Sequence, residues 1–251
     1  MSEILAIINQ KGGVGKSTSA AAIGAGLLLR GHTVLFIDLD AQGNLSFNLG
    51  AGHKALSSLE VLTGTATAQE AILHTETGDL IPASPALAGA DGIITTTGKE
   101  YRLREALEPL RSSYDYIILD TPPALGILTV NALTACTGAI IPAQADAYSL
   151  QGIALLAQTV DVVRKYCNPA LKVKGIVLTR YNARSVISRD MMKLMESTAA
   201  QLHTKVYKST IRECTAIKEA QAVQETIYGY APKSNASADY MALVDEILKE
   251  M

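Results

Sequence analysis

The run Lys11-Gly12-Gly13-Val14-Gly15-Lys16-Ser17-Thr18 holds the densest chemistry in the chain. Its three glycines free the backbone to turn successive N–H groups inward on a polyphosphate, and a helix opening at the end of the loop adds its positive dipole end. Lys16 is spaced to reach the β- and γ-phosphates, and the Ser17 hydroxyl is the expected Mg²⁺ ligand. Two departures from the usual phosphate loop matter. Gln10 stands where the first glycine belongs, and Lys11 adds a second cation. A lysine in a loop already balanced by Lys16 and Mg²⁺ would repel them unless a second triphosphate supplies more anion.

Two carboxylate segments complete the set. In Asp38-Leu39-Asp40-Ala41-Gln42-Gly43-Asn44, strand alternation sends Asp38 and Asp40 to the same side, towards the cleft at the strand ends. Two carboxylates there would repel unless one serves the metal shell and the other holds a water. Asp120, after Ile117-Ile118-Leu119, fits the acidic strand end that binds Mg²⁺ through water, and Thr121-Pro122-Pro123 stiffens the exit. A strand-end turn braced by Asx-type hydrogen bonds is the competing reading for Asp38 and Asp40.

The elements that must position these residues alternate. Ile4–Ile8 is a continuous apolar run of the kind a parallel strand buried on both faces requires. Further strands are expected at Val34–Ile37, Leu80–Pro82, Ile117–Leu119, Ala139–Pro142 and Val173–Leu178. Helices are expected at Ser19–Leu29, capped by Gly31, and at Lys99–Leu110, Thr129–Cys136, Gln151–Tyr166 and Ser188–Leu202. This order predicts an α/β, doubly wound, mostly parallel sheet with helices on both faces, its ligands held at the strand C-terminal edge. With no repeat, linker or low-complexity tract, residues 1–251 are expected to form a single domain.

Composition narrows the function. Tryptophan is absent and aromatics are 5%, which argues against base-stacking on single strands. The start has no basic leader, and no apolar run approaches the roughly 20 residues of a membrane span, so a cytoplasmic protein is expected. Cys136, Cys167 and Cys214 are too scattered for zinc or an iron–sulfur cluster. The net charge of −2 hides an asymmetry: from Arg164 to Lys218 there are twelve Lys/Arg and three acids, so that segment is +9 and the rest is −11. Such a segment is either a set of solvated helix faces or a phosphate-binding surface.

The loop with its extra lysine, DLDAQGN (38–44) and ILDTPPALGILTVNAL (118–133) resemble the ParA/Soj/MinD family of deviant Walker-A ATPases, the ParA/Soj branch most closely. The resemblance continues through IIPAQADAYSLQGIALL (140–156), GIVLTRYNAR (175–184), IKEAQ (217–221) and YAPKSNASADY (230–240), nearly the whole chain. It implies ATP and Mg²⁺ as cofactors and a homodimer formed on ATP. Lys11 becomes the signature lysine that contacts the partner's nucleotide, Asp40 the residue orienting the attacking water, and Asp38 a residue near Mg²⁺. Ala41 departs from the family's usual proline. The adenine pocket maps to Thr179-Arg180 and to Arg212-Glu213-Cys214.

The resemblance further implies partition of plasmid or chromosomal DNA with a ParB-type centromere-binding partner, through sequence-independent binding of duplex DNA at the nucleoid. Arg184, Arg189, Lys205, Lys208 and Lys218 are the expected DNA contacts, since they flank turns or helix ends away from the adenine pocket. Two alternatives stand beside it: a MinD-like membrane-cycling ATPase, or positioning of non-DNA cargo. The first wants a basic amphipathic helix at the end, whereas Tyr240–Met251 has an acidic polar face that anionic lipid would repel. No membrane contact is therefore expected. An electron carrier of the nitrogenase-reductase kind lacks its bridging cysteines.

Overall fold

The computed structural model describes residues 2–52 and 56–250. Seven strands, β1 (Glu3–Ile7), β2 (Val34–Asp38), β3 (Leu73–Thr75), β4 (Gly78–Ile81), β5 (Tyr116–Asp120), β6 (Gly138–Ala143) and β7 (Lys172–Leu178), form one sheet in the order β3-β4-β2-β5-β1-β6-β7. All neighbours are parallel except β3 and β4. The helices are α1 (Lys16–Leu29), α2 (Asn44–Asn48), α3 (Ser58–Thr63), α4 (Ala90–Ile93), α5 (Arg102–Leu107) and α6 (Ile127–Ala135). After them come α7 (Ala147–Tyr166), α8 (Val186–Gln201), α9 (Thr215–Ala222), α10 (Ile227–Tyr230) and α11 (Asn235–Leu248).

The unbroken apolar strands are explained by two cores. Ile4, Ala6 and Ile8 point into one, shared with α3 and α5–α8, while Leu5 and Ile7 point into the other, shared with α1 and α9–α11. Helix α1 approaches β2 so closely that a Cβ at Gly24 would lie 2.1 Å from the Phe36 ring. Gly31, at φ +87°, ends α1 as the sequence suggested.

The expected elements are present with shifted ends, and two differ in kind. The segment Lys99–Leu110 is not one helix: 3₁₀ turns at Lys99–Tyr101 and Glu108–Leu110 flank α5. Pro109 has no N–H to extend the α-helical ladder. The expected strand at Leu80–Pro82 is instead β4, ending at Ile81 and paired antiparallel with β3 in an edge hairpin. The polar run His74-Thr75-Glu76-Thr77 concealed that hairpin. Finally, α11 buries Tyr240, Leu243, Val244 and Ile247 in the core beside α1. Its acidic face is occupied too, because Asp245 holds Arg30, Asp239 holds Arg212, and Glu246 accepts from the backbone N–H of Lys208 and Ser209.

Candidate functional site

The topology brings the C-terminal ends of β1, β2, β5, β6 and β7 to one edge, and the predicted chemistry converges there. The loop after β1 passes through left-handed backbone at Gly13 (φ +74°) and Gly15 (φ +90°), which lead into α1. A side chain at either φ would be strained. Asn9 braces the loop from below: its Nδ2 donates to the Pro142 carbonyl at 2.7 Å and its Oδ1 accepts from Lys11 N–H at 2.9 Å. An open cleft of about 930 Å³ lies over the loop, lined by Gly12, Gly13, Gly15, Lys16, Ser17 and Thr18 together with Asp40 and Pro123.

Lys16 is 7% exposed, and its Nζ donates to the Lys11 carbonyl at 3.3 Å. Burial lowers its pKa, with Asp120 and then Asp40 opposing the shift. Both carboxylates favour the charged form of this buried lysine.

The three aspartates fare differently. Asp38 and Asp120 are register partners on adjacent strands, both fully buried. The Asp38 carboxylate is already engaged: Oδ2 accepts from Ser46 N–H (2.8 Å) and Ser46 Oγ (2.7 Å), and Oδ1 from Asp40 N–H (3.1 Å). Burial raises its pKa to about 6 despite those donors. The expectation that Asp38 and Asp40 both face the cleft is thereby corrected. Asp40 lines the cleft, while Asp38 is turned onto Ser46. Asp40 also braces its own turn, Oδ1 accepting from Gln42 N–H at 3.0 Å, so the turn reading and the cleft position coexist.

Asp120 is the opposite case. Neither of its buried oxygens has a partner at hydrogen-bonding geometry. Burial and then the Asp38 charge push its pKa well up, and the Ser17 hydroxyl and Lys16 draw it down. Among the described residues no three His, Cys, Asp or Glu side chains cluster as a metal cage. Mg²⁺ needs no such cage. It keeps water and takes one or two carboxylates with phosphate oxygens, so unpartnered Asp120 beside Ser17 suits it.

Lys11 turns away from the phosphate cleft. Its Nζ lies 2.5 Å from Asp146 Oδ2 and 3.4 Å from Gln144 Oε1, on the segment after β6. Asp146 of the same chain thus supplies an anion where the repulsion argument invoked a second triphosphate, a pairing the sequence did not reveal.

A second hollow of about 590 Å³ adjoins the first and gathers the expected adenine residues Thr179, Arg180, Arg212, Glu213 and Cys214. Two of them are less available than expected. Thr179 Oγ donates to the Val14 carbonyl at 2.8 Å, and the Arg212 guanidinium grips Asp239 with two hydrogen bonds. Arg180 holds a left-handed backbone (φ +50°), unusual outside glycine and a mark of a constrained site.

The five expected DNA contacts are not brought together. Arg184 and Arg189 lie at the start of α8, where Arg189 donates to the carbonyls of Ala183 and Arg184. Lys205 follows the far end of that sixteen-residue helix, about 24 Å away by helical rise. Lys205 is paired with Glu250 and Glu246 and sits over the Tyr207 ring. Lys218 lines the hollow of the expected adenine residues and so does not lie away from it as expected. Lys208 is exposed. The +9 segment is partly neutralised by acids from elsewhere in the chain, Glu3 on Lys174 among them.

A family model described as an AAA domain matches residues 2–173. The sporulation initiation inhibitor protein Soj of Bacillus subtilis is 38% identical over 252 residues, covering 98% of this chain and 98% of Soj. The chromosome partitioning protein ParA of Caulobacter vibrioides is also 38% identical, over 98% of this chain and 93% of that one. Among solved structures, a cobyrinic acid a,c-diamide synthase from Mycobacterium smegmatis with bound ADP and magnesium is similar at 35% identity. It gives a TM-score of 0.86 and covers 99% of this chain and 95% of its own.

Proposed function

The chain belongs to the ParA/Soj family of P-loop ATPases, and from that membership we propose a working cycle in which ATP with Mg²⁺ joins two copies that bind duplex DNA. The observation that carries the nucleotide reading is the pairing of a glycine-turned loop around Lys16 with the unpartnered, buried Asp120 carboxylate beside it. The relative solved with ADP and magnesium supports the same cofactors. Bound Mg²⁺ would offset charge on the β- and γ-phosphates, held by Ser17 and Asp120, with Asp38 acting from behind through the turn it braces. The loop N–H groups of residues 12–18 and Lys16 hold the phosphates. Asp40 orients the attacking water, and the base lies against Thr179, Arg180, Arg212 and Cys214. Lys11 reaches a partner's nucleotide after leaving Asp146.

This ATPase partitions DNA, as its curated relatives' names say of them. The synthase's name describes a different reaction, but the partition name belongs to a relative 38% identical over 98% of this chain and 93% of its own. In the proposed cycle residues 1–251 act as one domain in the cytoplasm. The ATP dimer rests on the nucleoid through Arg184, Arg189 and Lys208, and a ParB-type protein loads cargo and stimulates hydrolysis. The MinD-like alternative is disfavoured because α11 has its apolar face committed to the core. Co-sedimentation with plasmid DNA and with anionic liposomes, each with ATP or ADP, tests the reading. DNA pelleting with ATP alone is expected; liposome pelleting, or DNA binding indifferent to nucleotide, overturns it.

A further inference from the structure

The phosphate cleft and the base hollow meet at a neck. Four residues line both: Gly15, Thr18, Arg180 and Gln221. Any nucleoside phosphate with its base in one and its phosphates in the other must thread its sugar past these four. Gly15 offers no side chain. Arg180 carries five N–H donors and no acceptor. The Thr18 hydroxyl oxygen already accepts from Gln221 Nε2 at 3.0 Å. That bond fixes the amide of a half-buried α9 residue across the neck to the first turn of α1, and leaves its Oε1 as an acceptor.

We infer that Gln221 is a sugar-recognising residue whose amide oxygen accepts a hydrogen bond from a ribose hydroxyl, making this site selective for ribonucleotides over deoxyribonucleotides. The chemistry is specific. The two vicinal hydroxyls of ribose each carry a proton to donate, and removing one leaves a desolvated amide oxygen unmatched, which a site built around that bond penalises. The same bond does a second thing. Gln221 is anchored to Thr18, so sugar contact at α9 is transmitted to the helix that opens behind the phosphate loop. Gln221 closes the IKEAQ segment but carried no expected site role, because it lies far in sequence from every phosphate-binding residue. Only the fold returns it to Thr18.

The inference rests on the nucleotide reading above, and the test separates the two. Calorimetric titration of the full chain with Mg²⁺ and ADP, 2′-deoxy-ADP or 3′-deoxy-ADP should give ADP the tighter binding over at least one deoxy form, by about two- to tenfold, the scale of one neutral hydrogen bond. Gln221→Leu, of similar size, should bind ADP more weakly by that factor and treat the three ligands alike. Equal binding of all three by the unaltered protein overturns the sugar contact, as does a Gln221→Leu protein that keeps the original ratio. No ADP binding by the unaltered protein overturns the nucleotide site itself, and this inference with it.

Discussion

Lys11 and Asp146 join the phosphate loop to the start of α7: Nζ to Oδ2 is 2.5 Å, and Asp146 Oδ1 also caps α7 by accepting from Ser149 N–H at 2.8 Å. Burial works against the Asp146 charge, but the Lys11 hydrogen bond and the Ser149 donors outweigh it and hold the carboxyl below its usual range. One carboxylate therefore serves as helix cap and as tether for the lysine assigned to the partner's nucleotide.

Asn caps helices as well as Asp but carries no charge, so Asp146→Asn separates those roles. Both side chains are about one-third exposed, so the pair contributes at most about 1 kcal/mol and thermal stability should barely move. Freed of its tether, Lys11 should support dimerisation at several-fold lower ATP in analytical ultracentrifugation. Lys11→Ala should bind ATP and remain monomeric. An Asp146→Asn protein with an unchanged ATP requirement would remove the tether from the cycle.

Lys16 and Asp40 line one cleft but should fail differently. Lys16→Ala removes the buried cation facing the phosphates, and calorimetry should detect no ATP binding. Asp40→Ala should retain binding within a few-fold while hydrolysis falls by at least about a hundredfold, the lower scale for loss of a positioned catalytic group. It should then elute as an ATP-bound dimer. Wild-type turnover by Asp40→Ala would reduce this residue to the brace of its own turn.

Asp38 and Asp120 make the protein's stability depend on pH. An acid whose pKa is higher folded than unfolded holds its proton longer when folded, so stability is greatest at low pH and falls as pH rises between the two values. For Asp38 that window runs from about 4 to about 6. Asp120 shifts in the same direction. Asp120→Asn removes a fully buried charge beside Asp38, and it should stabilise the nucleotide-free protein at pH 8 by about 1–3 kcal/mol. The gain should shrink towards pH 5 in urea titrations, while Mg²⁺-dependent hydrolysis is lost. A gain equal at both pH values would mean that Asp120 charge is not the destabilising element.

The sheet was legible because its strands are buried on both faces and read as apolar runs, Ile4–Ile8 being the plainest. Glycine spacing marked the phosphate loop for the same kind of reason, since local backbone freedom is written in local sequence. Side-chain pairing was not legible. Asp146 lies 135 residues from Lys11, and Gln221 lies 203 from Thr18. The charge count from Arg164 to Lys218 misled in the same way. It counted Lys205 as free when α11 and the residue after next beyond it bring Glu246 and Glu250 beside it.

That difference among the basic residues gives the last prediction. DNA binding through phosphates displaces counterions, so each lost contact flattens the slope of log affinity against log salt by about 0.9. Arg184 is exposed, and the Arg189 guanidinium donates to the backbone carbonyls of Ala183 and Arg184, so among the described residues neither is in an ion pair with an acid. Charge reversal of both, to Glu, in the Asp40→Ala background should weaken binding to every duplex sequence alike. It should also flatten the salt slope by about two per monomer, with ATP-driven dimerisation intact. Lys205→Glu should behave otherwise. Its ammonium already sits between Glu246 and Glu250, so reversal places three carboxylates together and lowers stability, while the salt slope per folded dimer stays the same. Filter binding over a salt series, with folded protein checked by circular dichroism, separates the two sites. A slope that falls for Lys205→Glu and holds for the arginine pair would move the DNA to the other end of α8.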